Sequence, residues 1–185
     1  MSLFEFLMVL VSLIIGLGIA EILSGVARTI RFRATVVHYW AQSVVAAAIF
    51  FALLQQWWEI WGLRHTPQWT FPGLLMMLGG PIGLYLIAHL LYPEPIRGAN
   101  FRTYYYTEMR PAWWIACATV LVASSFRPLI IGETLFALHN LTSFAGLAIF
   151  IVLGLTRNPT VHAILTPAIL GSILADVLLI NFSIA

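Results

Sequence analysis

Acidic and histidine side chains inside long apolar segments are the residues of this sequence that could do chemistry. Asp176 lies about eight residues before the end of the last such segment, and His139 lies about eight residues into the segment before it. If these segments are antiparallel helices, the two side chains lie at the same depth. An Asp–His pair there relays a proton or binds a cation, or it is a static buried pair, and both interpretations stay open. Glu133, on the segment of His139, joins this candidate site.

Glu21 is a second candidate, about two turns before the end of the first apolar segment. A carboxylate in hydrocarbon costs ~2.5 kcal/mol or more, so it normally faces protein or a water-filled cavity. Since a helix turns by about 100° per residue, Gly18, Glu21, Gly25 and Arg28 share one side. Glu21 is either neutral or paired with Arg28 or a histidine. A proton or cation site and an acid that ties helices together are both compatible with this position.

Three histidines, His38, His89 and His162, lie near the ends of three other apolar segments and predict an inner polar cluster. Imidazoles ligate metals and haem, so a metal centre or a haem remains an alternative. The spacing supports neither strongly, because no His-Glu-x-x-His motif occurs and no two histidines lie one turn apart on one helix. The main expectation is therefore that the protein has no cofactor.

Composition defines the elements that must position these side chains. Of 185 residues, 61% are hydrophobic and 9% are charged, and the mean hydropathy is +0.95. A soluble domain is nearer half apolar and a quarter charged, so this composition predicts an all-α polytopic membrane protein. A spanning helix takes ~20 residues, which leaves residues 1–185 as one bundle domain without an added ATPase, kinase or DNA-binding module. The chain has no lysine, which excludes a PLP or retinal Schiff base and a P-loop.

Six apolar segments of near-spanning length predict six transmembrane helices. They are residues 3–28, 36–62, 69–92, 111–128, 131–156 and 160–184. The least distinct boundary is the one between the fourth and fifth segments, where we place a turn near Arg127 to Gly132.

Arginine distribution predicts the orientation. The connections after the first, third and fifth segments carry seven arginines, and the other two connections carry Arg64 and Arg127. The positive-inside rule then places both termini outside the cytoplasm. Tryptophans and tyrosines cluster at both predicted interfaces, as in aromatic belts.

The first segment also carries small residues at every fourth position, namely Ser12, Gly16, Ala20 and Ser24. Such a small-residue stripe predicts close packing against another helix, either of this chain or of another subunit. In the third segment, glycines around Pro81 predict either a broken helix or ordinary close packing.

Three stretches resemble small multi-pass bacterial proteins of unknown activity. They read GLGIAEILSGVAR (16–28), QQWWEIWGLR (55–64) and LYPEP (91–95). The resemblance covers about the first 110 residues. It implies a bacterial inner-membrane location and nothing about mechanism.

Three function classes follow. The first is a non-enzymatic bundle whose polar intramembrane site binds or conducts a proton, a small cation or a small polar solute. The second is an accessory subunit of a homo-oligomer or of a larger membrane complex. The third is a haem- or metal-dependent membrane enzyme, which the absence of protease and lipid-transferase motifs disfavours. The lipid bilayer is the expected partner, and nothing points to nucleic acid.

Overall fold

The computed structural model describes residues 3–65, 69–126, 128–129 and 138–179. Within these ranges every regular element is helical, apart from one isolated backbone bridge, which confirms the all-α prediction. In chain order the helices are α1 (Leu3–Arg31), α2 (Trp40–Trp61) followed by a 3₁₀ turn (Gly62–His65), α3 (Phe71–Leu90), α4 (Phe101–Thr107), α5 (Arg110–Phe126), α6 (Leu138–Leu155) and α7 (Pro159–Leu179).

The long helices coincide with the predicted apolar segments, and one short helix was not predicted. Helix α4 lies within the longest polar connection, and the side chain of Asn100 caps it. The Oδ1 atom of Asn100 accepts hydrogen bonds from the backbone N–H groups of Arg102 and Thr103, at 3.1 and 3.2 Å. Most of the predicted turn near Arg127 to Gly132 falls outside the described residues.

Four of the described helices are long and apolar enough to cross a membrane. They are Phe4–Arg31, Trp40–Arg64, Phe71–Leu90 and Pro159–Leu178. Helix α5 has 17 residues, and the apolar stretch Thr142–Leu155 in α6 is also shorter than the other four. The protein is thus an all-helical bundle with four helices compatible with membrane integration.

Side-chain contacts fix the relative directions of the helices. Glu21 of α1 contacts His89 of α3, and farther along α1 the side chain of Arg28 contacts Glu94 just beyond α3, so these two helices are parallel. At the start of α1, the ring of Phe4 lies 6.0 Å from that of Trp61 at the end of α2, as antiparallel neighbours require. We call the end where α1, α3 and α6 finish the arginine-rich end, and the other the opposite end.

Helix α3 continues unbroken through Pro81, and its glycines are contact points. A Cβ atom on Gly79 would lie 2.6 Å from the side chain of Val122 on α5, and one on Gly80 would lie 2.7 Å from Oε1 of Gln56 on α2. The side chain of Thr119 similarly occupies the space beside Gly83. These glycines therefore serve close helix packing, the second of the two interpretations predicted for this segment.

Two connections and the ends of α5 and α6 are tied together at the arginine-rich end. The backbone N–H of Val37 donates to Ala99 at 3.0 Å, and the N–H of Phe101 donates back to Val37 at 3.0 Å. These bonds join the α1–α2 connection to the segment before α4. Arg110, the first residue of α5, ties the last turn of α6 to this end by donating from Nη2 to the carbonyl of Gly154 at 2.7 Å. This end therefore holds most of the polar structure that the described residues show.

Candidate functional site

Glu21 and His89 form an ion pair between α1 and α3 at the arginine-rich end. Oε1 of Glu21 lies 3.4 Å from Nδ1 of His89, and the two side chains are 32% and 57% exposed. His89 is the penultimate residue of α3, so Glu21 lies level with the end of that helix and away from the middle of the bundle. Of the two kinds of partner predicted for Glu21, the structure has a histidine.

A second ion pair lies two turns farther along α1. Nη1 of Arg28 donates to Oε1 of Glu94 at 2.7 Å. This hydrogen bond and the positive charge of Arg28 lower the pKa of Glu94 below its ordinary value.

Between the two ion pairs, the ring of Tyr92 packs directly against Gly25. Burial raises the pKa of Tyr92 to about 12, so its hydroxyl stays neutral near pH 7.

The two ion pairs line a cavity of about 240 Å³, which we call the Glu21 cavity. This volume is well above the ~10–15 Å³ that a single water needs, so several waters fit. Its wall includes the hydroxyl of Tyr104 on α4, which donates to the carbonyl of Leu90 at 2.9 Å. The polar side chains that line it are Glu21, Arg28, His89, Tyr92, Glu94, Tyr104 and Glu108.

The charges around this cavity are unbalanced. Three carboxyl groups, those of Glu21, Glu94 and Glu108, face one guanidinium group, so acidic side chains outnumber the arginine in this lining. Arg28 already pairs with Glu94, so the excess acidic side chains are those of Glu21 and Glu108. The Glu21 cavity is therefore suited chemically to a cation, a proton or a small polar solute with hydrogen-bond donors.

His162 lies in a closed hydrogen-bond network and is only 2% exposed. Its Nε2 atom lies 3.0 Å from the carbonyl oxygen of Thr156, which can only accept, so Nε2 carries the hydrogen. Its Nδ1 atom lies 3.0 Å from the hydroxyl of Tyr105, and that hydroxyl also contacts Oγ1 of Thr166 at 3.0 Å. Burial raises the pKa of Tyr105, on α4, so its hydroxyl stays protonated in this network.

The third histidine, His38, is exposed. Its Nε2 atom lies 3.3 Å from Oγ of Ser43, and its ring lies 6.5 Å from that of Phe101. All three histidines lie at the arginine-rich end, but each has different partners from the other two. Among the residues that the structure describes, no group of three or more His, Cys, Asp or Glu side chains could hold a metal ion.

At the opposite end, Asp176 of α7 accepts a hydrogen bond from Nε2 of Gln55 on α2. The same amide donates to Oε1 of Glu59 at 3.0 Å. The side chain of His139 and all of Glu133 lie outside the described residues, so the proposed Asp176–His139 pair stays a prediction. Sequence reasoning missed Gln55 and Glu59, although their spacing of four residues on one helix is a detectable signal.

The small-residue stripe of α1 faces outward. Ser12, Gly16, Ala20 and Ser24 are all exposed, and a Cβ on Gly16 would meet no heavy atom within 4 Å in the described part of the chain. The exception is Ser12, whose hydroxyl accepts from Nε1 of Trp57 at 3.1 Å. Helix α1 packs through Gly18 and Gly25 instead, on the face that also carries Glu21 and Arg28.

The chain matches no protein-family model, no curated protein and no solved structure. Its function is therefore argued from the geometry above, and the resemblance to small multi-pass bacterial proteins stays a prediction.

Proposed function

We propose that this protein is a non-enzymatic integral membrane protein whose Glu21 cavity binds or conducts a proton, a small cation or a small polar solute. The observation that carries the proposal is the position of Glu21. It lies beside His89, in a cavity that is large enough for water-sized molecules and has more carboxyl groups than guanidinium groups. A ligand cation contacts Glu21 and Glu108, because Glu94 is engaged by Arg28.

Stability alone does not account for the Glu21–His89 pair. A partly exposed ion pair contributes ~0–1 kcal/mol, whereas a carboxylate within a membrane-spanning helix costs ~2.5 kcal/mol or more near mid-membrane. Glu21 lies level with the end of α3, where this cost is smaller. A ligand that contacts Glu21 would give the acidic side chain a role that the weak ion pair does not.

We further propose six spans with both termini outside the cytoplasm, in a bacterial inner membrane. The alternating directions of the helices and the excess of arginine at one end support this topology. Labelling with an impermeant thiol reagent in intact cells tests it. Thr103→Cys, at the arginine-rich end, should resist the reagent, and Gly62→Cys, at the opposite end, should react. The reverse pattern would overturn the orientation, and equal reactivity would overturn the separation of these positions by the membrane.

Ligand binding is tested by thermal stability of the purified protein in detergent, across a series of pH values and cation concentrations. Wild type should gain stability with at least one ligand, and Glu21→Gln should lose that gain while it still folds. Asp176→Asn is the matched control, because it also removes one carboxylate, at the opposite end. If Asp176→Asn alone abolishes the response, the site lies at the opposite end. If neither variant changes it, the proposal fails.

An accessory subunit is the second candidate function, favoured by the outward small-residue stripe. Small residues allow a second backbone to approach closely, and no helix within the described ranges covers Gly16 or Ala20. Native mass after gentle extraction tests this alternative. A homo-oligomer or a larger complex that Gly16→Leu dissociates would support it, and an unchanged mass in the variant would contradict it.

A further inference from the structure

Five exposed arginines lie at the arginine-rich end, namely Arg157 after α6 and four others on or beside the connections that follow α1 and α3. We infer that these four, Arg31, Arg33, Arg97 and Arg102, form one surface that binds the headgroups of anionic phospholipids. We call this set the arginine surface. It does not include the side chains that line the Glu21 cavity, so it is independent of the function proposed above.

The backbone bridge at Val37 holds the two connections together. Arg33 precedes Val37 by four residues, while Arg97 and Arg102 lie three residues before and two residues after Asn100, the bridge partner of Val37. The two hydrogen bonds of the bridge are both 3.0 Å long. A chain spans at most ~3.6 Å per residue, so Arg33, Arg97 and Arg102 all start within ~15 Å of this bridge.

The guanidinium groups of the arginine surface are available to a ligand. Arg28 and Arg110 at the same end are engaged, with Glu94 and with the carbonyl of Gly154. By contrast, no member of the arginine surface forms an ion pair with any other described residue. Arg31 lies over the ring of Phe32, 5.8 Å from its centroid, and this contact leaves its N–H donors uncovered.

The chemistry and the position of the surface favour a lipid phosphate. All nine basic residues of the chain are arginines, whose planar fork donates two hydrogen bonds to one phosphate. Exposed tryptophans at the same end, Trp40 and Trp114, are of the type that lies at headgroup depth. Helix α4 buries Phe101 and Tyr105 and leaves Arg102 outside, so this arginine faces away from the bundle. Anionic headgroups attract basic groups at this depth.

The test is the lipid that the protein retains, measured by native mass spectrometry after extraction from nanodiscs of phosphatidylcholine with and without phosphatidylglycerol. Wild type should prefer phosphatidylglycerol by at least ~5-fold, the ratio that one well-placed arginine supplies. The triple variant Arg33→Gln, Arg97→Gln, Arg102→Gln should lose the preference. Arg64→Gln, which removes one charge at the opposite end, should keep it.

Further variants and conditions of the lipid-retention experiment distinguish specific lipid binding from the alternatives. If the triple variant does not fold, Arg33→Gln and Arg97→Gln singly should each lower the preference, and raising salt from ~0.05 to ~0.5 M should lower it in wild type. Retention by the variants equal to that of wild type would overturn the inference. Loss in Arg64→Gln as large as in the triple variant would also overturn it, since bulk charge would then suffice. Equal stabilisation by inorganic phosphate and by phosphatidylglycerol would assign the surface to free phosphate and not to lipid.

Discussion

His162 and His89 lie at the same end of the bundle, but their surroundings are opposite in kind. His162 is buried, and both ring nitrogens have partners at 3.0 Å, one a carbonyl and the other a tyrosine hydroxyl. His89 is 57% exposed, has its carboxylate partner at 3.4 Å, and lines an open cavity. The first histidine is held by partners on both ring nitrogens, whereas the second has room for water or a ligand beside it.

This difference separates polar groups that serve the fold from polar groups that are available for function. A buried polar group is tolerated when every donor and acceptor is satisfied, and such a network then holds a single packing arrangement. The network of His162 meets this condition and ties α7 to α4. The Glu21 cavity has an excess of acidic side chains and open space, which the proposed ligand-binding function requires.

Loss of the buried imidazole of His162 should have the largest effect on the free energy of unfolding. His162→Leu takes the imidazole partner from the carbonyl of Thr156 and leaves the hydroxyl of Tyr105 with Thr166 alone, at ~1–3 kcal/mol for each buried group that loses a partner. The free energy of unfolding in detergent should therefore fall by about 2–4 kcal/mol. The control is His38→Leu, an exposed histidine at the same end, which should change it by less than ~0.5 kcal/mol. Similar losses in both variants would show that burial does not distinguish these histidines.

A methyl group at Gly25 should disturb the cavity wall without reaching the network. Gly25→Ala drives Cβ into the ring of Tyr92, and overpacking of this kind costs ~1–3 kcal/mol. Gly16→Ala meets nothing within 4 Å and should be neutral or stabilising by up to ~1 kcal/mol, since alanine favours helix. Unfolding free energies of the two variants give the contrast. Equal values would mean that Tyr92 does not rest on Gly25.

The long helices were predictable because each is a continuous apolar segment that ends at arginine, proline or other polar residues. Helix α4 was not, since its seven residues include three tyrosines and are too few for a hydropathy signal. Without α4, the partner of His162 could not be found, because Tyr105 belongs to that helix. The position of each histidine along its apolar segment therefore predicted at which end of the bundle it lies, but not which residues it contacts.

Helix α1 shows a second limit. It carries two sets of small residues, the outward stripe around Gly16 and the packing face of Gly18 and Gly25. Sequence spacing favoured the stripe as the packing face, because its small residues recur at every fourth position, whereas Gly18 and Gly25 are seven residues apart. The face with Glu21 and Arg28 was also predicted correctly as one side of a helix. The histidine that contacts Glu21 is His89 because α1 and α3 are parallel neighbours. Residue spacing within one segment does not show which helices are neighbours.

Neutralising the exposed pair should have a small effect on stability. Glu21→Gln and His89→Gln should each change the unfolding free energy by less than ~1 kcal/mol, as expected for a partly exposed ion pair. The same variants should change the response to pH or to cations, which His162→Leu should leave intact wherever that variant folds. A loss of 2 kcal/mol or more, on the order of that of a stranded buried group, would make Glu21–His89 a structural pair.

The smallest effect on stability concerns Glu94, an exposed side chain that lines the Glu21 cavity and contacts Arg28. Because Arg28 lowers its pKa in the folded state, ionised Glu94 stabilises the fold above the ordinary Glu pKa of ~4.3. This contribution is lost as the pH falls through the lowered folded pKa, so Glu94→Gln should flatten the acid side of the stability profile and leave stability slightly lower near pH 7. Thermal unfolding of wild type and variant between pH ~3 and ~7 checks the sign. An acid limb unchanged in Glu94→Gln would show that the Arg28 contact does not persist in solution, and would leave Arg28 to balance Glu21 or Glu108.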